Sequence, residues 1–108
     1  MISNRQLFMR HVAQTSDSSL QFEIERAEGI YFYDTSGKAF LDLVSGVSVS
    51  ALGHGHPAVV QAVRDQAERY MHTMVYGEFV QSPQVEYAEW LTKRLPESLD
   101  NIFFVNSG

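Results

Sequence analysis

Apolar positions follow three patterns along the chain, helical spacing, strict alternation and one continuous run, and each pattern predicts a different element. Leu7, Phe8, Met9 and Val12 fall close together beside Arg5 and Arg10, the pattern of a short amphipathic helix. After the polar stretch 15–19 the period drops to two. Phe22 and Ile24 alternate with Glu23 and Glu25, as in a strand with one covered face. Glu28-Gly29 interrupts this run before Ile30-Tyr31-Phe32-Tyr33-Asp34, and Thr35-Ser36-Gly37-Lys38 supplies turn chemistry ahead of a third β-rich run over residues 39–44. Together these predict a small antiparallel meander.

The Ser-, Gly- and Val-rich residues 45–56 follow, with small side chains that allow backbone to approach other chain or a ligand closely. Pro57 suits the first position of a helix, where its missing N–H costs nothing. Val59, Val60, Val63, Ala67 and Tyr70 recur at helical spacing, so a helix is predicted from about residue 57 to about residue 71. A connection follows over residues 72–81. A second helix is predicted with Ser82 as N-cap and Pro83 as first residue, carrying Val85, Ala88, Leu91 and Leu95 on one stripe and stopping at Pro96. Ile102-Phe103-Phe104-Val105 is a continuous apolar run, which predicts a strand covered on both faces inside a parallel sheet. Two helices and a meander give such a strand no partner of its own kind, so the expected folding unit is larger than 108 residues.

Composition narrows the class. A hydrophobic share of 44% is that of a globular chain rather than a disordered one. The net charge of −5 and scattered Lys and Arg argue against a nucleic-acid surface. No apolar run has the length of a membrane span, and the absence of cysteine removes both disulfides and a thiol nucleophile and fits a cytoplasmic protein.

The residues from Glu28 to Asp34, then Gly37-Lys38 and Phe40-Leu41-Asp42-Leu43, resemble the N-terminal meander of class-III aminotransferases, the omega-type enzymes that act on acetylornithine, 4-aminobutyrate or diaminopelargonate. Ser45-Gly46-Val47 and Leu52-Gly53-His54-Gly55-His56-Pro57 extend the likeness, and Phe103-Phe104-Val105-Asn106-Ser107-Gly108 resembles the start of that family's cofactor-phosphate loop. The resemblance implies an α/β fold, the N-terminal part of a fold-type-I transferase dependent on pyridoxal 5'-phosphate. It implies an N-terminal arm over residues 1–20, a small-domain meander and helix over 21–81, and the first helix and strand of the large cofactor domain over 82–108. The implied reaction moves an amino group from an amino acid or amine to a 2-oxo acid, in a homodimer. Ser107 and Gly108 fall at positions that contact the cofactor phosphate, and a strand running into a Ser-Gly turn aims backbone N–H groups at an anion. Val47, with Gly46 and Tyr76, falls in the substrate pocket. The catalytic Lys is expected beyond Gly108, so no residue here takes a catalytic role and the segment alone is expected to be inactive.

Two other readings stand beside this one. A related fold-type-I enzyme, an aminomutase or a decarboxylase, would share the cofactor, and a truncated domain would act only as an interaction module. The stretch Met74-Val75-Tyr76-Gly77 departs from the His-Thr-Ser-Asn pattern of acetylornithine-type members, and the Tyr76-Gly77-Glu78-Phe79 loop looks closer to diaminopelargonate-type or 4-aminobutyrate-type ones. His54 and His56 suit a helix-entry turn better than a metal pair, since no third ligand lies nearby in sequence. Asp42 is expected to satisfy local backbone donors, and Tyr31, Phe32, Tyr33 and Phe40 to pack across strands. Tyr87 and Trp90, on the second predicted helix, are candidates for an interface.

Overall fold

The computed structural model describes residues 1–74 and 76–107. The chain divides into two units, Met1–Asp65 and Gln66–Gly108.

The first unit opens with helix α1, Asn4–His11. Its start is a capping box: the Gln6 N–H donates to Ser3 Oγ at 3.2 Å and the Ser3 N–H donates to Gln6 Oε1 at 2.8 Å. Three strands then form the predicted meander, β1 Ile24–Glu28, β2 Tyr31–Asp34 and β3 Ala39–Leu41, antiparallel in the order β1-β2-β3. The strict alternation expected from Phe22 onward is broken, because a register shift between Ile24 and Arg26 places an extra residue in β1. Phe22 nevertheless joins the packing. Its ring lies 5.6 Å from Phe32 and 4.9 Å from Phe40, while Phe32 and Phe40 are direct cross-strand partners stacked at 5.4 Å. On β1 and β2 the partners Arg26 and Tyr33 meet as a cation over a ring, 3.6 Å from its centroid.

Asp34 closes the β2–β3 turn. Its Oδ1 accepts from the Ser36 N–H, the Ser36 hydroxyl and the Lys38 N–H at 2.9, 2.6 and 3.0 Å. These bonds, led by the Ser36 hydroxyl, hold the carboxyl below the ordinary aspartate range. The third strand is shorter than the apolar run suggests. It ends at Leu41 because Asp42 turns its side chain back onto the residues that follow.

Helix α3, Pro57–Arg69, begins in the first unit as predicted, with the Val60 N–H donating to the His56 carbonyl at 3.0 Å. In the second unit, helix α4 spans Ser82–Thr92. Its N-cap is Gln81 rather than Ser82. Gln81 has the extended dihedrals of a cap residue, φ −120° and ψ 118°, and its carbonyl receives the Gln84 and Val85 N–H groups at 3.1 Å. The Gln81 side chain is engaged elsewhere: it accepts from the Thr73 hydroxyl at 3.0 Å and donates to the Met74 carbonyl at 2.7 Å, tying the connection to the helix start. The α-helix ends at Thr92, ahead of Pro96, through a tightening in which Arg94 N–H donates to Leu91 and Leu95 N–H to Thr92.

The strand predicted at residues 102–105 is absent. Strand geometry is held by a ladder, and no described segment pairs with this run, so the apolar residues lie as irregular chain with Phe103 and Val105 exposed. Phe104 meets Tyr87 at 6.2 Å, and Tyr87 stacks beside Trp90 at 6.2 Å under the Arg94 guanidinium, 4.0 Å above the indole. Among the described residues no side chain is fully buried, and Leu43 (84% exposed), Val80 (94%) and Phe103 (72%) show how much apolar surface the chain presents.

Candidate functional site

The residues between β3 and α3 hold the longest run of positive φ among the described residues. Residues Ser45–Ser48 make one helical turn, α2, and all four have positive φ: 52° at Ser45, 60° at Gly46, 62° at Val47 and 64° at Ser48. The turn is therefore left-handed, between Val44 (φ −83°) and Val49 (φ −99°), which return to the right-handed region. Gly46 accepts this conformation freely. For Ser45, Val47 and Ser48 the left-handed region costs roughly 1–2 kcal/mol each, and most for β-branched Val47, whose Cβ crowds the following carbonyl. Such strain persists only where surrounding bonds over-determine it.

Those bonds converge on Asp42. Its Oδ1 accepts from the Val44 and Ser45 N–H groups at 3.1 and 2.8 Å, at the entry to the turn. Its Oδ2 lies 2.6 Å from His54 Nε2, and only 10% of the Asp42 side chain and 26% of His54 are exposed. The Ser45 N–H first, and His54 after it, hold the Asp42 carboxyl below its ordinary range, so it is a carboxylate at neutral pH. A carboxylate only accepts, so Nε2 carries the proton. The backbone of His54 is in turn bridged to the β1–β2 turn, with N–H···O bonds to and from Gly29 at 2.7 and 2.9 Å. Gly53 permits this approach: a Cβ there would stand 3.0 Å from the Gly29 carbonyl oxygen.

The expectation that Asp42 caps local donors is met, but its partnership with His54 was not legible. The two residues lie twelve positions apart on no shared element, and only the Gly29 bridge brings them together. His56 has no such partner, and its Nδ1 is buried without a hydrogen bond among the described residues.

The other predicted positions fall as follows. Gly46 and Val47 sit in the left-handed turn, with Val47 82% exposed. In the second unit, Tyr76 also has positive φ (64°) and lines an open groove with Phe79, Val85, Ala88, Ile102 and Phe104. Ser107 follows that groove's last segment. It is exposed, and among the described residues its hydroxyl donates to Asn106 Oδ1 at a long 3.4 Å. Gly108 lies outside the described residues. A hydroxyl donor suits a phosphate ester, so the described part of the expected donor set fits the cofactor that the resemblance implies.

Comparison with known proteins agrees with this architecture. An acetylornithine aminotransferase from Elizabethkingia anophelis superposes with a TM-score of 0.72 at 30% identity, over 83% of this chain and 23% of that one. A taurine:2-oxoglutarate aminotransferase from Bifidobacterium kashiwanohense, solved with PLP and glutamate, gives 0.71 at 31% identity over 81% of this chain and 20% of that one. The fold is thus α/β, that of the N-terminal part of fold-type-I pyridoxal-phosphate transferases. The chain belongs to the class-III aminotransferase family, whose model matches residues 12–108. Among curated relatives, the acetylornithine aminotransferase of Methanopyrus kandleri is 45% identical over 75% of this chain, and that of Gloeobacter violaceus 38% identical over 96%. The chain spans only 20% and 25% of their respective lengths.

Proposed function

We propose that this chain is part of a pyridoxal-phosphate-dependent aminotransferase that moves an amino group from an amino acid or amine to a 2-oxo acid. The observation that carries the reading is the family match across residues 12–108. When bound, the cofactor supplies an electron sink for chemistry at the carbon bearing the donor's amino group. The Ser107 hydroxyl and the backbone at Gly108 would bind the phosphate. Val47 would give the substrate pocket an apolar wall that excludes water and offers no hydrogen bond, with Gly46 leaving room beside it and Tyr76 contributing a phenol. Neither lysine of the chain suits the cofactor-bearing role. Lys93 is paired with Glu89 at 2.6 Å on α4, and Lys38 lies in the β2–β3 turn, 4.8 Å from the centroid of the Phe40 ring. That lysine is assigned to protein outside these 108 residues.

N-acetylornithine is the first donor to try, because relatives up to 45% identical are acetylornithine aminotransferases. The departure at Met74 and Tyr76 makes 4-aminobutyrate and diaminopelargonate-type amines the next. The proposed working form is a cytoplasmic homodimer, a reading supported by the lack of cysteine and by the exposed apolar surface. The residues 1–20, 21–81 and 82–108 are proposed as arm, small domain and start of the cofactor domain.

The test follows ¹⁵N from a labelled donor with 2-oxoglutarate as acceptor, using the cofactor-loaded protein. Label in newly made glutamate supports the aminotransferase reading. Label retained on a rearranged donor would mean an aminomutase, and carbon dioxide release a decarboxylase.

A further inference from the structure

The left-handed turn Ser45–Ser48 is held at its entry by one side chain, and that side chain is held by one other. We infer that Asp42 and His54 form a positioning couple that keeps Val47 in its left-handed conformation and so sets the wall it presents to the amino donor. The proposal rests on the reading that Val47 borders the donor.

The geometry makes a chain of constraints with a fixed end and a strained end. The fixed end is the β1–β2 turn, where Gly29 and His54 exchange both backbone hydrogen bonds at 2.7 and 2.9 Å. From there His54 reaches Asp42 through the 2.6 Å contact, and the second carboxylate oxygen takes the N–H groups of Val44 and Ser45. Asp42 is itself anchored by its own N–H, which donates to the Ile30 carbonyl at 2.9 Å. The Val44 and Ser45 carbonyls then receive the N–H groups of Val47, Ser48, Val49 and Ser50, closing the turn. Three of the turn's four residues have side chains that disfavour positive φ, so the turn relaxes when its entry is released. His54 and Asp42 act as positioning residues, through the backbone of the turn.

Three variants of the cofactor-loaded protein test the couple: His54→Ala, Asp42→Ala and His54→Gln, the last retaining an amide donor that can reach Asp42. Two readouts are needed. The first is the backbone of residues 45–48 by crystallography, which does not depend on activity. With His54→Ala and Asp42→Ala, Val47 is expected to leave positive φ, while His54→Gln keeps it. The second is steady-state kinetics with N-acetylornithine and 2-oxoglutarate. The two alanine variants are expected to raise KM for the donor by about tenfold with kcat within about threefold, and His54→Gln to restore KM. A turn that stays left-handed in both alanine variants overturns the proposal, as does a loss of kcat that His54→Gln does not repair. Should both alanine variants fail to fold, His54→Gln is compared with His54→Asn, whose shorter side chain falls short of Asp42, and the same two readouts decide. A wild-type protein that transfers no amino group counts against the proposed function, and the crystallographic readout then judges the couple's hold on the turn by itself.

Discussion

At the scale of single residues, the segment 45–53 combines two glycines at positive φ, Gly46 and Gly53, with three other residues, Ser45, Val47 and Ser48, that hold positive φ at a cost. Gly53 is the more exacting glycine, with φ +79° and the Gly29 carbonyl oxygen 3.0 Å from where a Cβ would stand. Gly53→Ala is expected to destabilise the protein by roughly 1–3 kcal/mol, read as a lower urea midpoint, because the Gly29–His54 bridge must open to make room. An unchanged midpoint would mean that this bridge contributes little. The value of Gly53 was visible in sequence only as one of several small residues in 45–56. Neither the left-handed run at Ser45, Val47 and Ser48 nor the Asp42–His54 contact has a local signature. Propensity rules place β-branched Val47 in a strand, and the contact joins residues that only the tertiary fold brings near.

At the scale of elements, local pattern worked where stabilisation is local. The period-two runs with Thr35-Ser36-Gly37-Lys38 between them foretold the β2–β3 hairpin, because Asp34 and its neighbours close that turn by themselves. Helices α1, α3 and α4 were legible from their apolar spacing and, for α3 and α4, from proline in the first turn, although the cap of α4 is Gln81 and not Ser82. The 102–105 strand was not formed, since an apolar run records what would cover it and not whether a partner is at hand. Asp34 and Asp42 both have lowered folded-state values, so the stability they contribute is present above the unfolded carboxylate range and is lost as pH falls through it and below. Thermal midpoints recorded from neutral to acid pH should therefore drop on the acid side, and Asp34→Asn should flatten part of that drop. A profile unchanged in the variant would remove Asp34 from the explanation. For α4, Gln81→Ala cuts the bonds to Thr73 and Met74 and should cost about 1–2 kcal/mol by denaturant unfolding, with faster proteolysis between residues 73 and 81. Equal proteolysis rates would show that the connection is held by other contacts.

At the scale of the whole molecule, exposure dominates. Val44, Val47 and Val49 in and beside the Ser45–Ser48 turn, Val59 and Val63 on α3, Val85 and Trp90 on α4, and Phe103, Phe104 and Val105 lie open to solvent, and no described residue reaches full burial. Membership of the class-III family and a span of 20–25% of the curated relatives' lengths fit surfaces that pack against more protein. The isolated 108-residue chain is accordingly expected to bind a hydrophobic dye, to unfold without a sharp transition and to transfer no amino group in the presence of pyridoxal phosphate. A sharp transition without dye binding would show that these units are self-sufficient, and turnover by the isolated chain would place catalytic groups within it. The proposed phosphate site rests in the sequence on Asn106-Ser107-Gly108 following an apolar run, and Ser107 is the proposed phosphate contact that the structure describes.

The most direct measurement is the visible absorption of the cofactor-loaded protein on addition of N-acetylornithine without acceptor, followed by 2-oxoglutarate. An aminotransferase of this family converts its cofactor in the first half-reaction and restores it in the second, so the cofactor band should vanish with donor and return with the 2-oxo acid. A band that does not respond to any amine in the donor panel, or that changes with donor and is not restored by any 2-oxo acid, would contradict the assignment.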